Sequence, residues 1–552
     1  MKELVKTHLY GIIRKLTPDF KGDISVKIPE NKEHGDYTAN AAFLLGKFLK
    51  KSPQEIAENL VAELKKQNVL DFSKIENKNG FINFFLSPEY LFRQLEEILS
   101  AKGGSAFGGK NKYGFSKNGG GRKIQVEFIS ANPTGPLTIG NGRGGFYGDA
   151  LANVLETQGN KVAREYYIND RGEQVLNLGR SIKSAQSDMR HATCDMEENL
   201  YRGEYVNELA EKIDKKLNVG EAGQKAVELI LKTYIKPAIK RLGIKFDVWF
   251  SEKTLYADKR QAASGKRQGI YEEVMGELID GRFVYEKDGA TWMKTSSLGD
   301  SEDRVLIKKD GSETYFLSDI LYHFDKFKIR KFDKAIDIWG ADHHGYAPRL
   351  LAALKALGIP EDNLEIIITQ LVRLVKGGES FKISKRAGTF VTLEELVNEV
   401  GLDAARFFFL MYSPNTHMDF DIALAKERSQ KNPVYYVQYA HARISGILRQ
   451  ATSDKRHAAN IEILKEKSEL DLIRKLVEYP ELLAEIAENY EVHRLPRYAL
   501  DLAREFHNFY EKERVITEDK NLTSARLALV LSAKIVLANV LSLMGIKAPD
   551  KM

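Results

Sequence analysis

Two stretches of this chain hold residues that can handle phosphate. The first is Glu127-Phe128-Ile129-Ser130-Ala131-Asn132-Pro133-Thr134-Gly135-Pro136-Leu137-Thr138-Ile139-Gly140-Asn141-Gly142-Arg143-Gly144-Gly145. Its glycine-rich end can bring backbone N–H groups and a helix N-terminus close to an anion. The second is Lys376-Gly377-Gly378-Glu379-Ser380-Phe381-Lys382-Ile383-Ser384-Lys385-Arg386-Ala387-Gly388, whose cations are bracketed by glycines. A cationic loop of this kind can close over a triphosphate and meet the charge that develops on departing pyrophosphate. Gly140, Gly142 and Gly145 also fit G-x-G-x-x-G, with Glu165 about twenty residues further on, which is the dinucleotide fingerprint. That fingerprint begins at the strand end, whereas about ten residues intervene here, Pro133 and Pro136 among them, so a nucleoside triphosphate is the better ligand.

The elements around the first stretch read as strand, loop, helix, strand. Lys123 to Ile129 alternates apolar Ile124, Val126 and Phe128 with polar neighbours, the period of a strand. Phe146, Ala150 and Val154 recur at helical spacing, and Gly159 is placed to stop the helix. Lys161 to Ile168 alternates again. A parallel pair joined by a right-handed crossover puts its ligand at the carboxyl end of the first strand. The long helical stretch from about 172 to 250 exceeds a simple crossover and signals an insertion. Arg304 to Lys308, a turn at Asp310-Gly311, and Glu313 to Phe316 read as a hairpin. A later strand, Ala335 to Trp339, ends in Gly340-Ala341-Asp342-His343-His344-Gly345. Neighbouring side chains of an extended segment point opposite ways, and no second cluster completes a ligand set, so no metal is expected there. Asp342 and His343 fit ribose or adenine contact better.

Composition bounds the rest. The 552 residues suggest three or four domains, and the net charge of +6 is small against 83 basic and 77 acidic residues. The lone cysteine, Cys194, excludes an internal disulfide. No signal-peptide core precedes Lys15, and no run approaches the ~18 apolar residues of a membrane span. Residues 1–101 read as an α+β unit. There Ser52-Pro53-Gln54-Glu55 starts a helix through a capping box, Ile56, Leu60 and Leu64 form its apolar stripe, and Phe81 to Phe85 alternates as a strand. Residues 102–121 have a flexible glycine-rich linker composition. Residues 122–412 hold the α/β region, with the insertion at about 175–300. Residues 413–552 contain only Gly446 and Gly545 and run at helical spacing, as in Leu495, Tyr498, Leu502 and Phe506.

Several of these stretches match one family. Glu127 through Leu137, Gly142-Arg143-Gly144, and Tyr167-Ile168-Asn169-Asp170-x-Gly172-x-Gln174 resemble the first signature of class I aminoacyl-tRNA synthetases, in its arginyl form. Thr138-Ile139-Gly140-Asn141 stands where that signature has two histidines, a variant similar to the one in tryptophanyl synthetases. Lys382-Ile383-Ser384-Lys385 matches the second signature. His34 to Tyr37, Asn40 to Ala42 and Gly80 to Asn83 resemble the family's N-terminal domain, which contacts the tRNA elbow. Asn432 to Arg443, Arg494 to Tyr510 and the tail to Met552 resemble its anticodon-binding domain.

The resemblance implies a doubly wound, Rossmann-like parallel sheet between an N-terminal α+β domain and a C-terminal helical bundle. It implies a cytoplasmic monomer, without membrane attachment, that ligates L-arginine to tRNA(Arg) through arginyl-adenylate. ATP would arrive with Mg2+ as substrate, with no tightly bound metal. Catalysis would fall to Thr138, Gly140, Asn141, Lys382, Ser384 and Lys385. ATP would be held by Pro136 through Gly142, Asp342, His343, Lys382 and Lys385. Glu127, Ser130 and Asn132 would hold the backbone end of arginine. A planar cation with five donors needs carboxylates and neutral acceptors at fixed angles. Tyr315 and Asp319, four apart and on one face if that segment is helical, would meet the guanidinium. Tyr435, Tyr439, Arg443 and Met552 would contact tRNA, since aromatic groups stack on the splayed bases of RNA loops. Two other readings stand beside this one: a class I synthetase for another amino acid, and a catalytically impaired relative that only binds RNA.

Overall fold

The computed structural model describes the chain except for residues 68, 102–110, 188–199, 257–268, 377–378, 381–390 and 452–459, so Cys194 lies outside the described residues. The chain opens with a helix, Lys2–Leu16, and an antiparallel sheet in the order β1 (Val26–Lys27), β2 (Tyr37–Ala39), β4 (Phe81–Leu86), β3 (Phe72–Lys78). Two Ser-Pro pairs begin helices here, Pro53–Lys66 against the sheet and Pro88–Ser100 facing away from it. Ser52 Oγ accepts from Glu55 N and Ser87 Oγ from Tyr90 N, with proline at the first helical turn. The carboxylate of Glu55 does not close a capping box, because it pairs with Lys51 at 2.5 Å instead. Helix Pro88–Ser100 buries Leu91, Leu95 and Ile98 and packs on the C-terminal helices Lys467–Val477 and Lys520–Leu543.

The central sheet is parallel throughout. Strands β5 (Lys123–Glu127), β6 (Lys161–Ile168) and β7 (Val248–Ser251) lie side by side in that order. The chain then leaves the sheet for an antiparallel meander, β8 (Val284–Lys287), β9 (Ala290–Met293) and β10 (Arg304–Ile307). It returns as β11 (Lys334–Gly340) against the other side of β5, followed by β12 (Leu364–Thr369) at the edge. The strand order therefore reverses between β5 and β11, and ligands of open α/β sheets bind at the carboxyl ends of such a pair. Gln125 and Glu127 are buried along with Ile124 and Val126. The alternation suggests one solvated face, but a central parallel strand is covered on both.

Three further expectations are corrected. The hairpin has one arm: Ile307 bridges Glu313, but Thr314 bonds the carbonyls of Val305 and Leu306 and caps a helix, Tyr315–Phe324, so no second strand forms. Residues 341–346 form a tight 3-10 turn rather than an extended segment. Within the glycine-rich stretch, residues 111–121 pack: Tyr113 is buried and stacks on Tyr479, and Asn111 Nδ2 donates to Ile98 O.

Beyond β12, a small sheet joins β13 (Val372–Lys376) to β14 (Glu379–Ser380) and, in parallel, to β15 (Met418–Asp421). The remaining described residues are mainly helical, and Leu495, Tyr498, Leu502 and Phe506 are all buried. Helix Lys520–Leu543 is long and apolar enough to cross a membrane, contrary to the reading of the sequence, yet most of it is buried. It packs between helices Pro433–Gln450 and Arg494–Lys512 as the core of this domain.

In the insertion, helices Glu173–Gln186 and Val219–Ile230 cross where each presents a glycine. A Cβ on Gly179 would lie 2.0 Å from Val219 O, and one on Gly223 would lie 2.2 Å from Val175 O. Gly276, in helix Ile270–Asp280, has nothing within 4 Å of such a Cβ. Gly179→Ala should cost ~1–3 kcal/mol of stability, since rigid backbone cannot yield. Gly276→Ala should gain ~0.5–1 kcal/mol from helix propensity. Unfolding midpoints of the two variants check the contrast.

Candidate active site

The first loop leaves β5 through a backbone that side chains rarely adopt: Ile129 has φ +66° and Ser130 φ +36°. Two successive non-glycine residues in the left-handed region cost free energy, the more so for β-branched Ile129. Neighbours hold the twist in place. Ser130 Oγ donates to Glu127 Oε1 at 2.9 Å and accepts from Tyr167 N at 3.1 Å. Ile129 packs against Gly145, where a Cβ would come within 3.0 Å of it.

A helix, Ile139–Thr157, starts earlier than the apolar spacing suggests. Thr138 is its N-cap, and both its N–H and its Oγ1 donate to Asn141 Oδ1, at 2.8 and 3.0 Å. The two residues at the histidine positions thus bond to each other as a neutral cap. Several glycines here allow close packing. A Cβ on Gly142 would lie 2.5 Å from Leu393, and one on Gly148 would lie 2.4 Å from Phe128. Gly140 alone of these is exposed, and a Cβ there would meet nothing nearer than Thr138 Oγ1 at 3.7 Å, so the first turn is open to an approaching anion. Glu165 is fully buried in a bidentate pair with Arg330 and accepts from Tyr322 OH, which removes it as a ribose ligand of the dinucleotide reading.

Below the strand ends lies a buried ionic network. A single π-helical turn, Asp325–Ile329, follows helix Tyr315–Phe324 and holds Lys326 with no solvent exposure. Its Nζ donates to Glu127 Oε2 at 2.8 Å and to both oxygens of Asp337, at 2.8 and 3.0 Å. His323 Nε2 lies 2.8 Å from Asp337 Oδ2, and its Nδ1 lies 2.7 Å from the carbonyl of Asp319. Burial pushes the Glu127 carboxyl up in spite of Lys326. Burial works on Asp337 too, but Lys326 and His323 together outweigh it and hold that carboxyl down at about 2.

The phenol of Tyr167 lies near the end of β6, its ring packed against Phe250 and Tyr322. Burial pushes that phenol's pKa up, and Glu252, Asp319 and Glu127 push it further. Glu252 is a residue that sequence reasoning missed, 3% exposed at the end of β7. Its Oε1 accepts from Ser318 Oγ at 2.9 Å. Its Oε2, the hydroxyl of Tyr167 and Oδ1 of Asn169 are buried with no partner among the described residues. Burial, with Asp319 adding to it, lifts the Glu252 carboxyl to about 7 against the opposing Ser318 bond and Arg171. Burial likewise raises Asp319, which sits beyond the first turn of its helix and so is not a cap. Tyr315 is 47% exposed at the rim, and Asn132 is reached by Asn169 Nδ2 at 3.2 Å.

The other predicted residues are more scattered. Asp342 and His343 stand exposed on the turn after β11, across the strand-order reversal from the first loop. Lys382, Ser384 and Lys385 lie outside the described residues. The segments flanking them are placed: β13 and β14 precede, and Thr392 follows, bridged to Thr138, with Leu393 N donating to Leu137 O at 2.9 Å. In the C-terminal domain, Tyr435 and Met552 line one cavity of about 680 Å³. Tyr435 stacks on Tyr439 at 6.3 Å, and the exposed Arg443 lies over the Tyr439 ring at 5.7 Å.

A parallel sheet with an open helix N-terminus at its order reversal is the catalytic architecture of class I tRNA synthetases. The comparisons agree. The family model described as "tRNA synthetases class I (R), catalytic domain" matches residues 105–415. Those for the "Arginyl tRNA synthetase N terminal domain" and the "DALR anticodon binding domain" match residues 3–86 and 437–552. An arginine–tRNA ligase of Bacillus pumilus is 43% identical over 547 residues, covering 96% of this chain and 94% of that protein. One from Aquifex aeolicus is 41% identical with both chains covered entirely. For the fold, the arginyl-tRNA synthetase of Thermus thermophilus matches over the whole of both chains with a TM-score of 0.77 at 22% identity. The chain belongs to the arginyl-tRNA synthetase family.

Glu252 makes stability depend on pH. Its carboxyl holds a proton more tightly in the folded chain, at about 7, than at its ordinary 4.5. The stabilisation is complete below the ordinary value and is lost as pH rises through 7. Without arginine, Glu252→Gln should match the parent at pH 4 and exceed it at pH 8 by on the order of 2 kcal/mol. Thermal unfolding at the two pH values measures this.

Proposed function

We propose that this protein charges tRNA(Arg) with L-arginine in two steps. The arginine carboxylate attacks the α-phosphate of ATP, forming arginyl-adenylate and expelling pyrophosphate. A terminal ribose hydroxyl of tRNA then attacks the adenylate carbonyl, taking the arginyl group and releasing AMP. No side-chain nucleophile is needed, since positioning and charge stabilisation do the work.

The observation that carries this reading is a set of buried polar atoms at the strand ends with no partner among the described residues: Glu252 Oε2, the Tyr167 hydroxyl and Asn169 Oδ1. Among the described residues Lys326 bonds Glu127 and Asp337 but neither Glu252 nor Asp319, so the set can take a further cation. A guanidinium supplies five donors in one plane and fits such a set better than an ammonium does. Tyr315 and Asp319 are assigned to the guanidinium, and Glu127, Ser130 and Asn132 to the backbone end of arginine. The ATP triphosphate is assigned to the segment Pro136 to Gly142, with Thr138, Gly140 and Asn141 at the open helix start, and to Lys382, Ser384 and Lys385. Asp342 and His343 are assigned to the ribose or adenine. Magnesium would travel on the ATP phosphates; among the described residues no group of three His, Cys, Asp or Glu side chains is gathered to hold an ion.

Tyr435, Tyr439, Arg443 and Met552 are assigned to tRNA. The same reading takes the protein as a cytoplasmic monomer without membrane attachment. It divides the chain at 1–101, 102–121, 122–412 and 413–552.

Charging of total tRNA with labelled arginine tests the reading, and incorporation of another amino acid in place of arginine would sink it. Asp319→Asn should lower kcat/KM for arginine roughly 100-fold, the loss of on the order of 3 kcal/mol from one charged partner. Arginine should bind more tightly as pH rises from 6 to 8, because the cation favours ionised Glu252, and Glu252→Gln should flatten that slope. Steady-state kinetics across this range reads both effects.

A further inference from the structure

Arg143 lies one turn into helix Ile139–Thr157 and is 2% exposed. Among the described residues it has no carboxylate partner. Nη1 donates to the carbonyls of Gln370 and Leu371 at 3.0 and 3.4 Å, and Nη2 to those of Ser413 and Thr416 at 2.8 and 2.5 Å. Burial pulls its pKa down, with no anion to oppose the shift. Burying an uncompensated guanidinium is costly, and an apolar side chain would fill the same space more cheaply. What the guanidinium adds is geometry, since one rigid planar fork fixes two separate loops.

Those loops are not arbitrary. Gln370–Leu371 joins β12 to β13, and Ser413–Thr416 leads into β15, the parallel partner of β13. They are also tied to each other, by Gln370 N to Pro414 O at 2.8 Å and Met418 N to Leu371 O at 3.3 Å. β13 in turn leads into the second cationic stretch, which starts at its last residue, Lys376. On the far side of that stretch, Thr392 and Leu393 are bonded to Thr138 and Leu137. The first loop and its helix thus grip the second element from both flanks.

We propose that Arg143 is a positioning residue for ATP activation, holding β13 and β15 at a set distance from the first turn of helix Ile139–Thr157. The proposal rests on the assignment of the triphosphate to that turn. It is tested in the full-length protein with Arg143→Lys and Arg143→Met, in tRNA charging assays that vary ATP and arginine separately. Arg143→Lys keeps a cation but cannot span four carbonyls. It should lower kcat/KM for ATP roughly 10- to 100-fold, the cost of about 1 Å of misplacement. KM for arginine should stay within about two-fold, because the arginine-binding groups are held by another network. Hydrogen exchange should quicken in β13 and β15 but not in β5 and β6. Arg143→Met should show the same pattern more strongly.

Unchanged kcat/KM for ATP in both variants would overturn the proposal. So would equal losses for ATP and arginine together with faster exchange in β5 and β6, which would mark Arg143 as a general prop. If Arg143→Met does not fold, Arg143→Lys decides the matter alone. A parent protein that fails to charge tRNA with arginine would remove the triphosphate assignment, while the exchange pattern would still report whether the tether exists.

Discussion

One helix, Ile139–Thr157, has to be buried on all sides and yet keep its first turn open. Most of the structure follows from that pair of demands. Gly142, Gly145 and Gly148 let Leu393, Ile129 and Phe128 approach it. Its polar side chains tie it to the rest of the catalytic region and to the C-terminal helices. Arg143 binds the loops around β13, Asp149 pairs with buried Arg406 at 2.8 Å, and Asn153 donates to Leu543 O in the last helix. Tyr147 donates to the carbonyl of Tyr490 in the helical domain. A helix held this firmly presents its N-terminal N–H groups as a fixed feature, and fixed dipoles stabilise developing charge without reorganising.

The ionic network beside it has a different logic. Lys326 is shared by Glu127 and Asp337, while Asp319 and Glu252 stand nearby with little compensation. Ionised together, these four carboxylates would carry more negative charge than Lys326 balances. Burial raises the carboxyls of Asp319 and Glu252, which is the least costly way to carry that excess without a ligand. An entering cation restores their ionisation, so the desolvation penalty is offset by the substrate. A buried π-helical turn is an unusual place for a lysine, and it brings Nζ to two strands at once.

Much of this was legible in the sequence, where local chemistry determines local structure. The unit from Lys123 to Ile168, the Ser52 helix start and the apolar stripe of Arg494–Lys512 all follow from periodicity and capping. The hairpin after Arg304 was misread because Thr314 can either continue a strand or cap a helix, and tertiary bonds to Val305 and Leu306 decide between them. Glycines that serve close helix packing look the same in sequence as glycines that cradle phosphate. Glu252 was invisible because nothing in Phe250-Ser251-Glu252 marks a carboxylate whose partners, Ser318 and Asp319, lie over sixty residues away. Lysine is ordinarily a surface residue, so Lys326 gave no sign of full burial. Helix Lys520–Leu543 is continuous enough in apolar character to mimic a membrane span, and only its packing distinguishes it.

The packing of helix Pro88–Ser100 on Lys467–Val477 and Lys520–Leu543 bears on how the chain is made. Its apolar face, Leu91, Leu95 and Ile98, finds its cover only when residues roughly 400 positions later leave the ribosome. At about 5–20 residues per second, that face waits on the order of 20–80 s during synthesis. For that interval the first domain is a nascent unit with a sticky side, the kind of surface that chaperones shield. Domain order along the gene thus sets a delay between the birth of the N-terminal domain and the completion of its core.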